Sequence, residues 1–182
     1  MKWNTIKQLA GAALLTGAMA SQAQAAPVLS TVITNGPIIA GHAVGVDINI
    51  AGITDLAAWQ FSLNFNPAVL QVTGGTEGPF LQQAGSTFFD PGSFDNGAGT
   101  ISFAFDSLFG SGPGASGSGT LAHYDFNAVT TGGAAFSFSD LLFLNSNGDE
   151  ITVGVAAVPE PATMLLLALA LGAVTVVKRR QV

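Results

Sequence analysis

Apolar and polar residues alternate along several stretches in the middle of the chain. In the clearest of them, Trp59, Phe61, Leu63 and Phe65 are separated by single Gln, Ser and Asn residues. Successive side chains of a β-strand point to opposite faces, so this pattern predicts a strand with one buried and one exposed face. No stretch of residues 26–157 has a convincing period of 3.6, which would indicate a helix. The sequence therefore predicts an all-β domain.

Turn-forming residues separate the predicted strands. Ala51-Gly52 ends the second strand, and Asn147-Gly148 is a strong signal for a short hairpin. The Gly- and Ser-rich residues 110–119 predict a flexible loop. The strand-forming segments are residues 28–34, 44–50, 59–65, 68–72, 80–83, 87–89, 101–106, 121–129, 136–138, 141–144 and 151–155. Residues 80–83 and 87–89 are only possible strands. Together the segments predict an antiparallel β-sandwich of about nine strands.

The parity of the alternation predicts which side chains lie in the core. Trp59 shares its parity with Phe61 and Phe65, which favours burial, although an exposed tryptophan would instead suit stacking on a sugar ring. Two later strands have one apolar face, formed by Ile101, Phe103 and Phe105 in the first, and by Ala122, Tyr124, Phe126 and Ala128 in the second. The opposite faces carry Ser102, Ala104 and Asp106 in the first, and His123, Asp125 and Asn127 in the second.

The predicted β domain, residues 26–157, contains no lysine and no arginine. All five basic residues of the chain lie outside it, whereas only Glu160 of the 11 acidic residues does, which leaves 11 − 1 = 10 acids. Recognition of nucleic-acid phosphates needs basic side chains, so nucleic-acid binding is excluded. An arginine clamp for acidic substrates and a lysine nucleophile are excluded for the same reason. Solvent cations or a bound metal must offset the repulsion among the acids.

No motif in the domain predicts an active site. His42 and His123 are the two histidines, and either could meet an aspartate in the fold. No nucleophile elbow, metalloprotease helix or phosphate-binding loop accompanies them. Cysteine is absent from the chain, which excludes disulfides. We therefore predict that the chain is not an enzyme, with a small secreted hydrolase as a remote alternative.

One loop carries oxygen-bearing side chains of the kind that calcium prefers. Calcium takes six to eight oxygen ligands, several of them carboxylates. The loop departs from an EF-hand because it lacks the initial aspartate and the distant glutamate, and a plain hairpin turn explains the same residues. The sequence thus predicts no cofactor, with a calcium site as the alternative. The candidate ligands are Asn145, Asn147, Asp149 and Glu150.

The first 25 residues have the features of a secretory signal peptide. Lys2 and Lys7 lie in a short polar start. The apolar stretch that follows, residues 9–20, is too short to span a bilayer. Ala23 and Ala25 supply small side chains at the cleavage-site positions, so cleavage is predicted after Ala25. The remaining central segment, residues 26–157, is long enough for one domain.

Residues 158–182 contain three features in a fixed order. The first is Val158-Pro159-Glu160-Pro161, whose prolines can neither propagate a helix nor donate to a strand ladder. Residues 162–177 are apolar and uncharged, and as a helix they would span about 24 Å of a bilayer core that is about 30 Å thick. They predict one short transmembrane helix. The third feature is a basic cap that should stay on the cytoplasmic side, formed by Lys178, Arg179 and Arg180.

This tail resembles the PEP-CTERM sorting signal of Gram-negative bacteria. The matching parts are the tetrapeptide 158–161, the apolar run and the basic cap. The resemblance implies export through the inner membrane, a transient anchor there and processing by an exosortase-type enzyme. The cell surface or the extracellular matrix would be the final location.

The central domain resembles cohesin modules. The likeness lies in residues 46–50 and 56–70, in residues 117–121 leading to Phe126, and in residues 147–151. It implies a nine-stranded, jelly-roll-like sandwich related to carbohydrate-binding domains, and a dockerin-like protein as partner. We therefore expect a non-enzymatic envelope protein that interacts with a protein or with extracellular polysaccharide. A carbohydrate-binding adhesin is the alternative.

Overall fold

The computed structural model describes residues 25–156, so the predicted signal peptide up to residue 24 and the predicted sorting tail lie outside it. These residues form nine β-strands and one turn of helix, as the alternation predicts. In chain order the elements are β1 (Val28–Ile33), β2 (Ala43–Phe65), β3 (Leu70–Glu77), α1 (Pro79–Gln82), β4 (Thr87–Asp90), β5 (Ser93–Asp95), β6 (Thr100–Leu108), β7 (Ala115–Ala128), β8 (Phe136–Asn145) and β9 (Gly154–Val155).

The long strand β2 belongs to both layers of a β-sandwich. Its first half pairs with β1 and β7, and its second half pairs with β6 and β8. The first layer has the strand order β3-β7-β2-β1-β9. In the second layer β6 lies between β2 and the short strands β4 and β5, and β8 lies on the other side of β2.

The predicted end of the second strand at Ala51-Gly52 is wrong, because β2 continues through it. Gly52 and Asp55 have φ angles of 70° and 58°, and they bend the strand where it passes between the layers. Ser118 Oγ accepts a hydrogen bond from the Gly52 amide, and Ser116 Oγ accepts one from the Asp55 amide. Residues 115–119 are therefore part of β7 and not of a flexible loop. The serine hydroxyls of this segment accept hydrogen bonds from the amides that the bend removes from the strand pairing.

The core lies between the layers and is rich in aromatic rings. Trp59 and Phe61 stack with ring centroids 4.9 Å apart, and Phe61 contacts Tyr124 of the other layer edge-on at 6.5 Å. Phe65 contacts Phe126 in the same way at 5.2 Å. The predicted burial of Trp59 is confirmed, since 2% of it is exposed. The alternation therefore identified the inward faces of β7 and of the second half of β2.

Two further segments differ from the prediction. Residues 80–83 were predicted as a short strand, but Pro79 starts a single helical turn that buries Phe80 and Leu81. At the C-terminal end, the predicted turn forms between Leu144 and Glu150, which make an isolated bridge. The chain then leaves β8, and β9 pairs in parallel with β1. The sandwich is thus antiparallel except at this edge.

Within residues 25–156, no helix is long and apolar enough to cross a membrane. The predicted transmembrane helix, residues 162–177, lies outside the described part of the chain.

Candidate functional site

The outer face of the second layer carries apolar side chains that remain in contact with solvent. The strand pairing aligns Gln60 of β2 with Leu142 of β8 and Phe105 of β6. Phe88 is 54% exposed, and its ring centroid lies 5.8 Å from that of Phe105. Exposed apolar side chains grouped in this way make the face a candidate contact surface. We call it the aromatic face, and it comprises Ala58, Gln60, Phe88, Phe105, Ser107, Phe109, Leu142 and Leu144.

A shallow depression of about 140 Å³ lies within the aromatic face. Its lining includes Gln60, Phe105 and Leu142. Pockets that enclose a whole small-molecule ligand usually measure roughly 300–1,000 Å³. This depression therefore suits one protruding side chain of a larger partner.

Two bulges flank Ser62 on this layer and change the predicted faces. On β6 the register shifts opposite Ser62, whose Oγ accepts a hydrogen bond from the Phe103 amide at 3.1 Å. On β8 a second shift occurs between the partners of Gln60 and Ser62. Phe103 and Asp140, at the two bulges, have φ angles of 53° and 51°. The prediction that Phe103 faces the core is wrong, because the bulge turns its ring outward and leaves it 58% exposed.

The bulge also places a carboxyl group in the core. Asp106 was predicted on the polar face of its strand, but it is fully buried and lies in register with Trp59 of β2 and Phe89 of β4. Burial, reinforced by the nearby Glu77 carboxyl, raises the pKa of Asp106 to about 7. No pattern in the sequence distinguishes this aspartate from the exposed ones, so sequence analysis missed it.

The hydrogen bonds around the buried carboxyl are incomplete. Asp106 Oδ1 accepts a hydrogen bond from the Ser107 amide at 2.8 Å, but Oδ2 has no partner. The indole Nε1 of Trp59 is also buried without a partner. Glu77 Oε1 accepts a hydrogen bond from the Thr87 hydroxyl at 2.5 Å. Because a protonated carboxyl is far cheaper to bury than an ionised one, Asp106 stays protonated until the pH approaches about 7.

The first layer brings one of the two histidines together with two aspartates. His123 Nδ1 lies 2.6 Å from Asp47 Oδ1, and Nε2 lies 3.4 Å from Asp125 Oδ1. The hydrogen bond to Asp47 raises the pKa of His123. His42 is exposed. Among residues 25–156, the ion pairs with these carboxylates involve His123 and not His42.

The predicted calcium ligands form a hydrogen-bonded turn. Asn145 Oδ1 accepts hydrogen bonds from the Asn147 and Asp149 amides at 2.9 Å each. Asp55 Oδ2 accepts a hydrogen bond from the Ser146 hydroxyl at 2.7 Å and ties the turn to β2. The plain hairpin interpretation accounts for these contacts. In the described part of the chain, no three His, Cys, Asp or Glu side chains group around a possible metal position. A calcium site that includes Glu150 stays a prediction.

A β-sandwich with an exposed apolar sheet face belongs to the class of interaction modules. The chain belongs to the cohesin family, since residues 31–160 match the Cohesin domain. Cohesin domains are non-catalytic modules for protein interaction. Residues 157–180 match the PEP-CTERM protein-sorting motif, which confirms the resemblance of the tail. The chain is therefore an exported protein with a protein-interaction domain and a C-terminal sorting signal. The individual residues of the motif lie outside the described ones.

Solved structures support the same fold. The second type II cohesin module of the cellulosomal adaptor scaffoldin of Acetivibrio cellulolyticus matches with a TM-score of 0.61 at 18% identity, over 72% of this chain and 94% of that one. A cohesin from a type II cohesin–X–dockerin complex of the same organism matches with a TM-score of 0.60 at 17% identity, over 72% and 95%. A non-cellulosomal cohesin of the archaeon Archaeoglobus fulgidus matches with a TM-score of 0.55 at 15% identity, over 72% and 86%. No curated protein matches the chain.

Proposed function

We propose that the chain is delivered to the cell surface or extracellular matrix of a Gram-negative bacterium, where its cohesin domain binds a dockerin-like protein through the aromatic face. The observation that carries this proposal is the exposed apolar surface of the second layer. Phe88, Phe109 and Leu142 are 54%, 66% and 37% exposed. Burying such side chains against a partner contributes about 25 cal/mol per Å² of apolar surface removed from water.

The charge of the domain limits the kind of partner. It has ten acids and no lysine or arginine, so only its two histidines could pair with acidic side chains of a partner. Asp90 stands in register with Phe105 at one side of the aromatic face, and Asp140 is exposed at the other. A partner with apolar side chains and basic residues at its rim complements this surface.

In this proposal, export and sorting of the protein depend on both ends of the chain. We infer that residues 1–25 are removed as a signal peptide after Ala25, and that residues 158–182 hold the protein in the inner membrane until an exosortase-type enzyme processes them. The central domain, residues 26–157, would then be released to the surface. The match to the sorting motif supports the second step.

Polysaccharide binding is a second candidate for the aromatic face, as in a carbohydrate-binding adhesin. The exposed rings of Phe88 and Phe109 favour it, since sugars stack on aromatic rings. Their planes are inclined by 65° to each other, and that of Phe88 by 42° to Phe105, so the rings do not form one flat platform. The protein partner is therefore the better-supported proposal.

The structure gives little support to the hydrolase alternative. A glycosidase needs two carboxyl groups on either side of an accessible bond. The pair formed by Asp106 and Glu77 lies towards the core, where Asp106 is fully buried. We propose that the chain has no catalytic function.

Site-specific photo-crosslinking on intact cells tests the proposed function. A photoreactive phenylalanine analogue at Leu142 should crosslink to a protein, and the same group at Val129, which is exposed outside the aromatic face, should not. Adding Phe88→Ser should remove the crosslink. A product that survives trypsin, which has no site between Lys7 and Lys178, but is lost after polysaccharide digestion would support the adhesin. No difference between the two positions would contradict both proposals.

A further inference from the structure

One end of the sandwich is formed by three segments that contain no acidic residue. β1 and β7 end there, β2 begins and ends there, and β3 and β8 begin there. The Gly41 amide donates a hydrogen bond to the Ala128 carbonyl at 2.8 Å, and the Val129 amide donates one to the Val69 carbonyl at 2.7 Å, so the segments form one surface. We call this surface the uncharged end, and it comprises residues 33–43, 65–70 and 128–136.

The acids are distributed unevenly between the two ends of the domain. Among the residues of the uncharged end, His42 is the only one with an ionisable side chain. Asp95 flanks this end from the turn before β6, which is hydrogen-bonded to Phe65 through a backbone carbonyl. The opposite end, where β2 bends between the layers and β8 ends, carries Asp55, Asp149 and Glu150.

Aliphatic side chains are exposed on the uncharged end. Ile33, Ile39 and Val129 are 37%, 43% and 46% exposed. A surface of this kind can lie against lipid headgroups without the cost of removing a charge from water. Anionic headgroups repel the acids elsewhere in the domain, and this repulsion is screened over about 8 Å at physiological ionic strength. A membrane surface therefore opposes the approach of the uncharged end less than that of the opposite end.

The last strand directs the chain towards the uncharged end. β9 runs parallel to β1, with Val155 in register with Leu29, and the Ala156 amide donates a hydrogen bond to the Leu29 carbonyl at 2.8 Å. β1 ends four residues beyond Leu29, at Ile33, which corresponds to about 13 Å of strand. Residues 156–161 have an extended length of about 20 Å, at roughly 3.4 Å per residue, so they are long enough for the apolar run to begin at the uncharged end.

We propose that the uncharged end contacts the lipid surface of the inner membrane while residues 158–182 hold the chain there. This inference rests on the proposed membrane anchoring of the tail. The tether keeps the uncharged end at a high effective concentration near the lipid, so a few aliphatic contacts suffice. The acids of the opposite end then point away from the anionic headgroups, and the aromatic face stays open on the side of the domain.

Fluorescence quenching on vesicles tests which end of the domain meets the lipid. The exported chain that still carries residues 158–182 is reconstituted in vesicles of phosphatidylethanolamine and phosphatidylglycerol. The chain has no cysteine, so a single introduced cysteine places a nitrobenzoxadiazole fluorophore at a chosen position. Val129→Cys labels the uncharged end, and Val28→Cys, which replaces an exposed valine at the start of β1, is the matched control at the opposite end. A nitroxide on the lipid headgroup should quench the label at Val129 and leave the label at Val28 unquenched.

An added charge tests the physical reason for the contact. Ile39→Asp should restore the fluorescence of the label at Val129, whereas Asn147→Asp, which adds the same charge at the opposite end, should not. Both replaced side chains are exposed, so circular dichroism and the melting temperature without lipid should match those of the parent chain. Equal quenching at Val129 and Val28, or quenching at Val129 that Ile39→Asp leaves unchanged, would overturn the inference.

A third label separates this inference from the proposed anchoring. Leu167→Cys places the fluorophore in the apolar run, where a nitroxide on the lipid acyl chain should quench it. Loss of that quenching would contradict the anchoring and the inference together. Quenching at Leu167 with an unquenched label at Val129 would refute the inference alone and leave the proposed anchoring in place.

Discussion

Ionisation of Asp106 should make this protein less stable as the pH rises. The carboxyl has a pKa of about 7 in the folded state, against 3.8 for an ordinary aspartate. The folded state therefore holds the proton more tightly than the unfolded state, and stabilisation is complete below the unfolded pKa and lost as the pH rises through 7. The shift of about three pKa units corresponds to about 4 kcal/mol, of which about 3 kcal/mol is present at pH 5.

The perturbation that isolates this effect is Asp106→Asn. Asparagine keeps the oxygen that accepts the Ser107 amide and resembles a protonated aspartate in shape and charge. The variant should match wild type near pH 4 and exceed its free energy of unfolding by about 3–4 kcal/mol above pH 8. Urea unfolding at constant ionic strength, followed by the fluorescence of Trp59 in the adjacent strand, measures the difference.

Two controls decide whether Asp106 is the cause. Glu150→Gln removes an exposed acid and should leave the pH profile unchanged. Glu77→Gln removes the neighbouring negative charge and should reduce the dependence on pH. If wild type and Asp106→Asn lose stability in parallel between pH 5 and pH 8, the reasoning about the buried carboxyl is refuted.

Four further predictions follow from the composition, the core and the tail. Trp59→Ala should lower the free energy of unfolding by about 3–5 kcal/mol in urea titrations, and an unchanged midpoint would show that the buried ring adds nothing to stability. Trypsin should cut nowhere between Lys7 and Lys178 even after denaturation, since no Lys or Arg intervenes, and any internal fragment on a gel would contradict this. The intact mass of the surface form should correspond to a chain that starts at Ala26 and lacks residues 162–177, and a full-length C-terminus would disprove processing. Millimolar calcium should raise the melting temperature above that in chelator at equal ionic strength, and loss of the shift in Asp149→Asn would assign it to the turn, whereas an equal shift with monovalent salt would show screening alone.

The period-two pattern was sufficient for the fold because the segments between the bulges keep a regular register with their neighbours. Tyr124 and Phe126 face inward as predicted, since β7 keeps its register with β2 across these residues. The pattern failed where a bulge adds a residue, because one extra residue reverses the face of every side chain beyond it. Phe103 is thus exposed and Asp106 buried, although large apolar residues and smaller or polar residues alternate regularly in the sequence of their strand.

The candidate sites were predictable only in part. The sequence indicated only that either histidine could meet an aspartate. The pairing of His123 with Asp47 depends on the register between β2 and β7, which residue type does not specify. The aromatic face arises from four strands that are distant in sequence. Phe88 and Leu142 are 54 residues apart, and only the folded sheet brings their side chains to one surface.

The parallel pairing of β9 with β1 determines how the protein responds when it is pulled. Tension applied at the C-terminal end reaches Gly154 and Val155 first, and these two residues slide in shear against Val28 and Leu29. Such a short pair yields before β2, which is held by neighbours in both layers. Residues 151–156 have an extended length of about 20 Å, at roughly 3.4 Å per residue, which is the upper limit of the slack that their release adds. A pull at the C-terminal end would therefore detach β9 from β1 before it loads the second layer, which carries the aromatic face.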